Sequence, residues 1–127
     1  MFVIGEATAT AGVLPVEFSN GKPEFASDVY DALDAGVRAG DPDDVRTVAL
    51  INIDEQVVGE YVFGSTKKGT AYQGQAEIVL IDADSGEVLR GFIVEGPEPP
   101  ETSESSEHTK VKTSSIAEAI SAAVSTP

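Results

Sequence analysis

Closely spaced carboxylates are the first residues in this chain whose type and spacing could do chemistry. The segment Asp82 to Gly86 resembles the start of an EF-hand calcium loop, and its two aspartates are one pair that acid–base catalysis could use. An EF-hand loop needs glycine at its sixth position and glutamate at its twelfth, where this chain has Glu87 and Ile93. We therefore predict a hairpin turn, capped by aspartate side chains, with Gly86 at positive φ.

A second acidic cluster, Asp41 to Asp44, places three carboxylates around Pro42. Such a loop can bind Ca²⁺ weakly, but the favoured interpretation is a solvated exit from a helix. No histidine lies near it in the sequence, so a transition-metal site has little support. We expect no metal ion and no cofactor.

His108 is the single histidine of the chain, so any Ser-His-Asp triad would have to use it. It lies in a polar segment, Ser106 to Thr109, whereas a catalytic base needs a rigid and partly desolvated environment. We therefore expect no catalytic role for His108 and identify no catalytic residue elsewhere.

Lys67 and Lys68 form the one basic spot in the strand-forming region. A lysine pair at a hairpin tip usually serves solubility, and the alternatives are an anion contact or a clamp on the acidic segment that follows. Tyr61 and Tyr72 lie on adjacent predicted strands, where they either flank a shallow groove or pack against a sheet face. The second interpretation is favoured, since aromatic residues commonly cover a sheet face.

Glutamates recur at every third position in a segment rich in proline, serine and glutamate: Glu95, Glu98, Glu101, Glu104 and Glu107. Three prolines exclude an α-helix here, and a polyproline II helix would place all five carboxylates on one edge. We call residues 95–112 the strap and favour a solvated acidic linker. The alternative is an acidic stripe that docks on a basic partner or on the lysine pair of this chain.

The elements that must position these side chains can be predicted from hydrophobic spacing. Two short strands near the N-terminus form a hairpin, with a turn signal at Asn20 and Gly21 followed by Pro23. Residues 24–39 have the spacing of a first helix with acids on its outer face. The strand residues are Phe2, Ile4 and Ala7, then Val13, Leu14, Val16 and Phe18, and the helix acids are Asp28, Asp31 and Asp34.

Four further strands are predicted over residues 45–53, 57–63, 71–83 and 87–95. Their short connections favour antiparallel neighbours, because a parallel crossover needs a dozen residues or more. Apolar residues on both faces indicate that the sheet is covered twice, at least in part, by the second helix, the hairpin or another subunit. A closing helix is predicted after the strap, with a capping box formed by Ser115 and Glu118 and an apolar stripe from Ile116 to Val124.

These elements predict one small α+β domain over residues 1–127. An antiparallel four-stranded meander, which the N-terminal hairpin could extend, packs against two helices. The candidate interaction surface comprises Asp28, Asp31, Asp34, Glu95, Glu98, Glu101, Glu104, Glu107, Lys67, Lys68, Tyr61 and Tyr72.

The composition excludes several classes of protein. The 127 residues include 22 acids, 8 bases and no cysteine, for a net charge of −14. Disulfide scaffolds, zinc–thiolate sites and cysteine nucleophiles are therefore impossible, and direct binding to nucleic acid or an anionic membrane is disfavoured. No run approaches the ~20 apolar residues of a membrane span, and no secretory signal is evident. We expect a soluble protein, cytoplasmic rather than secreted, and the alternative is a piece of a longer chain.

Most of the charge lies outside the predicted strands: residues 24–44 carry −6 and residues 95–107 carry −5, against −3 for residues 45–94. The favoured hypothesis is a non-enzymatic binding or accessory module, alone or as a homodimer, whose partner is a protein, either itself or a basic partner. One alternative is an acidic decoy that mimics nucleic acid and occupies a basic partner. A third hypothesis is adaptation of the charge to high salt, and an enzyme ranks last.

Overall fold

The computed structural model of the chain describes residues 9–19 and 21–125. The strands, in chain order, are β1 (Ala9–Thr10), β2 (Val13–Ser19), β3 (Lys22–Phe25), β4 (Thr47–Phe63), β5 (Thr66–Asp82), β6 (Val88–Glu95), β7 (Glu107–His108) and β8 (Val124–Ser125). The helices are α1 (Ser27–Ala32) and α2 (Thr113–Ala122), and a 3-10 helix covers Pro42–Asp44. The main sheet has six strands in the order β3-β2-β4-β5-β6, with β7 also paired to β5.

The main sheet is mixed rather than purely antiparallel. β2 runs parallel to β4, from Val13 opposite Thr47 to Phe18 opposite Asn52, whereas the β4–β5 and β5–β6 pairs are antiparallel. A parallel pair needs a long crossover, and the segment from β3 through α1 to the 3-10 helix supplies one. The α+β class is confirmed, but the prediction of an antiparallel four-stranded meander is wrong.

The hairpin near the N-terminus is formed by β2 and β3, with Val16 opposite Phe25. Its turn includes Gly21 at φ +77°, a left-handed conformation that glycine adopts without strain. The strand predicted over residues 13–18 is confirmed. Its predicted partner, through Phe2, Ile4 and Ala7, lies outside the described residues, as does Asn20 of the predicted turn.

β4 is one unbroken strand of 17 residues where two strands and a turn are predicted. Residues 54–56 continue the strand, and the pairing with β5 extends to Phe63 opposite Thr66. A register shift between Val57 and Gly59 marks a β-bulge, which adds one residue to β4. The extra residue reverses the alternation of side chains, so each β4 residue after the bulge faces the side of the sheet that its neighbour would otherwise face. β4 and β5 thus form one long hairpin, whose outer part, residues 54–75, we call the arm.

The first helix is much shorter than the predicted span of residues 24–39. α1 ends at Ala32, where Leu33 adopts an extended conformation. The chain then pairs with the start of β2: the Val37 carbonyl accepts hydrogen bonds from the Gly12 and Val13 N–H groups at 2.8 and 2.9 Å. These tertiary hydrogen bonds override the helical pattern of the sequence.

A cluster of buried apolar side chains lies between the helices and one face of the sheet, which we call the core face. Alternate residues of β4 and β5 supply the sheet side, with Ile51, Ile78 and Leu80 fully buried. Val29 of α1 and Ile120 of α2 belong to the same cluster. The buried residues of both helices therefore lie on this face.

The opposite face carries aliphatic side chains that are half-buried: Leu14, Val16, Val48, Leu50, Val79, Ile81 and Ile93. The sequence predicts a second cover for them. Among the described residues, the strap supplies a cover along the arm, where Ala71 and Gln73 are buried. Over residues 9–19 and 21–125 the second layer is thus partial, and it is formed by the strap rather than by a helix.

α2 begins after Lys112 with no side-chain capping hydrogen bond, two residues before Ser115. The predicted capping box is therefore wrong, although Ile116 and Ile120 of the predicted apolar stripe are buried. β8 follows α2 after one residue, Ala123, and pairs in parallel with β1, with Ala9 opposite Val124. In the part of the chain that the structure describes, neither helix has the length and hydropathy that crossing a bilayer requires.

Candidate functional site

A groove of about 800 Å³ lies on the core face, beside the first turns of both helices. Its floor is the part of the sheet that the helices leave open, and it includes Ile53, Val57 and Tyr72. Ile53 and Val57 are 43% and 63% exposed, so the floor presents apolar surface to solvent. Residues 25–29 line one side, and residues 109–111 of the strap line the other. The groove therefore depends on the strap for one of its walls.

Carboxylates surround this apolar floor. Glu17, Asp28, Asp54 and Glu55 line the groove, and Lys110 is the single base among the described lining residues. A concave surface with one dominant sign of charge concentrates ions of the opposite sign, because its low-dielectric walls focus the field. The groove therefore favours a ligand that combines positive charge with apolar surface.

Glu55, Tyr72 and His108 meet at the arm end of the groove, one from each of three neighbouring strands. The imidazole of His108 stacks on the Tyr72 ring with centroids 4.5 Å apart and planes 9° apart. Its Nδ1 lies 2.9 Å from Glu55 Oε2, which joins residues 53 positions apart in the sequence. β7 creates this contact by returning the strap to the edge of β5, where His108 lies opposite Tyr72.

An imidazole beside a carboxylate is an arrangement that can orient a catalytic base. Here the side chains of His108 and Glu55 are 50% and 43% exposed, and even a fully charged pair this exposed contributes only about 0–1 kcal/mol. Within the described residues, the hydrogen bond of the imidazole goes to this carboxylate rather than to a hydroxyl nucleophile. The arrangement supports binding at the rim of the groove more directly than bond cleavage.

The outgoing part of the strap lies on the other face of the arm. The Tyr61 hydroxyl donates to the Pro100 carbonyl at 2.7 Å, and Gln73 Nε2 donates to the Gly96 carbonyl at 2.8 Å. Because the β4 bulge places Tyr61 on the face opposite Tyr72, the two tyrosines do not flank one groove. The strap thus wraps around the β5 edge and contacts both faces of the arm.

Glycines allow the strap backbone to approach the arm closely. A Cβ atom at Gly74 would lie 2.7 Å from the Thr109 carbonyl oxygen, and one at Gly69 would collide with the backbone of Ser105 and Ser106. Glycine inside a strand can mark the close approach of another backbone. Gly69 and Gly74 mark the strap crossing, whereas Gly59 in β4 has nothing within 4 Å of a Cβ atom, so a strand glycine in the sequence does not by itself show where a backbone crosses.

The hydrogen bond between Tyr61 and Pro100 should make the strap contact sensitive to alkaline pH. Burial raises the pKa of the Tyr61 phenol above its ordinary value of about 10, and the Glu107 carboxylate raises that pKa further. The folded pKa therefore exceeds the unfolded one, so this stabilisation is complete below about pH 10 and is lost as the pH rises through the folded pKa.

Ultraviolet titration of phenolate formation checks this prediction. Subtracting the Tyr61→Phe titration curve from the wild-type curve isolates the ionisation of Tyr61. The midpoint of this difference curve should lie above the pH at which a tyrosine in a model peptide ionises. A difference curve that titrates at or below that pH would contradict the burial of Tyr61 under the strap.

The acids of the predicted interaction surface lie on separate elements. Asp28 and Asp31 are exposed on α1, whereas Asp34 lies beyond the end of that helix. The strap leaves the sheet after Glu95 in β6 and re-enters it at Glu107 in β7. Glu98, Glu101 and Glu104 therefore follow a path that turns back, rather than the straight edge that a polyproline II helix would give.

Lys67 and Lys68 lie within β5 at the end of the arm rather than in a loop. Lys67 Nζ is 3.3 Å from Glu60 Oε1 on the neighbouring strand, so its described partner belongs to the arm and not to the strap. Lys68 Nζ lies 5.5 Å from the centroid of the Phe63 ring, whose residue is 74% exposed. We call residues 60–68 the arm tip.

The two short acidic clusters act as local caps. Asp82 Oδ1 accepts hydrogen bonds from the N–H groups of Asp84 and Ser85, and Gly86 has φ +75°, which confirms the predicted turn. Asp41 Oδ1 likewise accepts from the Asp43 N–H at the start of the 3-10 helix. Across residues 9–19 and 21–125, no group of three or more acidic or histidine side chains is arranged to hold a metal ion.

Comparison with known protein families gives no match to this chain, and comparison with curated proteins gives no significant match. The chemistry of the groove and the arm therefore carries the functional argument.

Proposed function

We propose that this protein is a non-enzymatic binding module whose groove takes a basic and partly apolar segment of a partner protein. The observation that carries this proposal is the combination of an exposed apolar floor, at Ile53 and Val57, with four lining carboxylates against one lysine. The volume of about 800 Å³ falls in the range of about 300–1,000 Å³ that ligand sites occupy. It is large enough for a few side chains of a bound segment.

Each part of the groove has its own role in this proposal. Glu55 meets a cationic side chain of the ligand, and its hydrogen bond to His108 holds it at the rim. Val57 and the Tyr72 ring bury the apolar side chains, which contributes roughly 25 cal/mol per Å² of apolar surface removed from water. Charge sets the rate and specificity of association, and apolar burial supplies the affinity that persists in salt.

Fluorescence anisotropy with a labelled peptide that alternates lysine and valine tests this function. The wild-type protein should bind this peptide and should not bind the matched peptide that alternates glutamate and valine. Glu55→Lys should weaken binding roughly tenfold or more, because it places like charges together at the rim. Val57→Ser should weaken the binding that remains at high salt.

Asp84→Lys is the matched control for net charge, since Asp84 is exposed in the turn after β5 and does not line the groove. It should leave peptide affinity nearly unchanged. If Asp84→Lys weakens binding as much as Glu55→Lys does, the peptide is responding to overall charge and the groove is not its site.

The alternatives from the sequence make different predictions. An acidic decoy requires one continuous array of carboxylates, whereas the described acids lie on α1, the strap, the arm and several turns, and no observation favours such an array. Displacement of DNA from a basic protein would support the decoy. A melting temperature that rises steeply with KCl would support adaptation to high salt.

A further inference from the structure

We propose that the segment bound in the groove is the arm tip of a second copy of this chain, so that two copies exchange tips. This inference rests on the proposed function, because it names the partner of that same groove. It follows from the chemistry of the tip, the chemistry of the groove and the distance that the arm keeps between them.

The arm tip has the chemistry that the groove favours. Phe63 and Val62 are 74% and 58% exposed at its end, so the tip presents two neighbouring large apolar side chains to solvent. Lys67 and Lys68 flank them, and Glu60 is the only acid in residues 60–68, so the tip carries +1 in a chain of −14. The tip is thus a cationic, apolar segment on an acidic protein.

The groove complements this tip in both respects. Its floor at Ile53 and Val57 offers exposed apolar surface for Phe63. Its carboxylates offer partners for Lys68. The ammonium group of Lys68 lies over the Phe63 ring, so the tip presents its positive charge and its apolar surface side by side. Opposite charges on the two surfaces also favour this docking over the repulsion expected between two chains of like net charge.

A chain cannot place its own tip in its own groove. Val57 forms part of the groove floor, and strand pairing continues from there to Phe63 opposite Thr66. Six further residues of extended chain hold the tip roughly 20 Å from the floor. A second copy is therefore the source of the tip.

Reciprocal exchange closes this contact into a dimer. A two-fold axis between antiparallel arms places each tip at the groove of the other copy, because the tip-to-groove spacing is the same in both. The dimer then contains two identical tip–groove contacts. A single substitution in the tip or in the groove is present in both copies, so it alters both contacts.

Sedimentation velocity over a concentration series tests this dimer. The wild-type chain should reach the mass of two chains, against 13.2 kDa for one. Lys68→Glu in the tip and Glu55→Lys in the groove should each raise the dimer dissociation constant roughly a hundredfold, since like charges would then meet at both contacts. An equimolar mixture of the two variants should restore the dimer, because tip and groove become complementary at both contacts of the mixed pair.

Lys22→Glu is the control for net charge, since it makes the same charge change as Lys68→Glu on the exposed β3 strand. It should leave dimerisation unchanged. A wild-type protein that is monomeric at every concentration, or a dimer that persists in both charge variants, would overturn the exchange of tips. Persistence in both variants would place the interface elsewhere, for example on the half-buried sheet face.

The lysine–valine peptide separates this inference from the proposed function. The Lys68→Glu variant has an intact groove, so it should bind the peptide at least as tightly as the wild type does. If this variant binds the peptide and the wild type is only a monomer, the groove function stands and the partner is another protein. If neither protein binds the peptide, the proposed function itself fails.

Discussion

Replacing Ile78 with alanine is expected to lower the free energy of unfolding by about 2–5 kcal/mol. Ile78 is fully buried on the core face, opposite Ile51 of β4 and Phe92 of β6. Truncation removes apolar side-chain surface from the core and leaves a cavity, because close-packed neighbours relax only in part. Chemical unfolding followed by circular dichroism measures the loss.

Ile81→Ala is the matched control, because Ile81 lies on the same strand with the same side chain on the opposite, half-buried face. Its loss should be at most about half of the loss at Ile78, since less apolar surface is removed from solvent there. Equal losses at the two positions would contradict a core on one face and would indicate a further layer on the other.

Gly74→Ala is expected to destabilise the protein by about 1–3 kcal/mol, the usual cost of forcing extra atoms into a packed site. Alanine in a strand is normally better than glycine by about 0.5–1 kcal/mol, so the expected sign is reversed here. The reason is the Thr109 carbonyl oxygen, 2.7 Å from the position of the new Cβ atom, and the Lys110 Cα atom at 3.0 Å. The strap must therefore shift, and because residues 109–111 form one wall of the groove, that wall would shift as well.

Amide hydrogen exchange shows whether the strap responds locally. The Thr109 N–H donates to the Tyr72 carbonyl at 3.1 Å, and its exchange should become faster in Gly74→Ala. Gly59→Ala is the control, because nothing lies within 4 Å of a Cβ atom there, and it should be neutral or slightly stabilising. A stabilised Gly74→Ala variant with unchanged exchange at Thr109 would show that the strap does not cross the arm at this point.

Local sequence patterns predict the elements that are determined by their own residues. The alternation in β5, the Asp82 turn with Gly86, and the buried stripe at Ile116 and Ile120 all follow from residue spacing. The early end of α1 does not, because hydrogen bonds from distant residues to Val37 decide it. The polar residues 54–56 likewise suggest a turn, since aspartate and glutamate are uncommon in strands, yet pairing with β5 keeps them extended.

The candidate site is predictable only in its separate parts. Tyr72 stands out in the sequence, but Glu55 and His108 meet only because the strap turns back along the arm. Charge periodicity draws attention to the strap glutamates, whereas the contacts that hold the strap use backbone, glycine and Tyr61. The spacing of residues in a sequence describes one helix or strand at a time. The groove is built from several such elements, so predicting it would require their positions relative to one another.

The pairing of β1 with β8 has a kinetic consequence. Ala9 and Val124 lie far apart in the sequence, so closing this contact early would carry a large entropic cost. The β4–β5 hairpin, by contrast, joins neighbouring residues across a short connection and can form before the ends meet. Contacts made after the folding barrier slow unfolding without accelerating folding. We therefore expect the β1–β8 pairing to act mainly on the unfolding rate and the arm to act mainly on the folding rate.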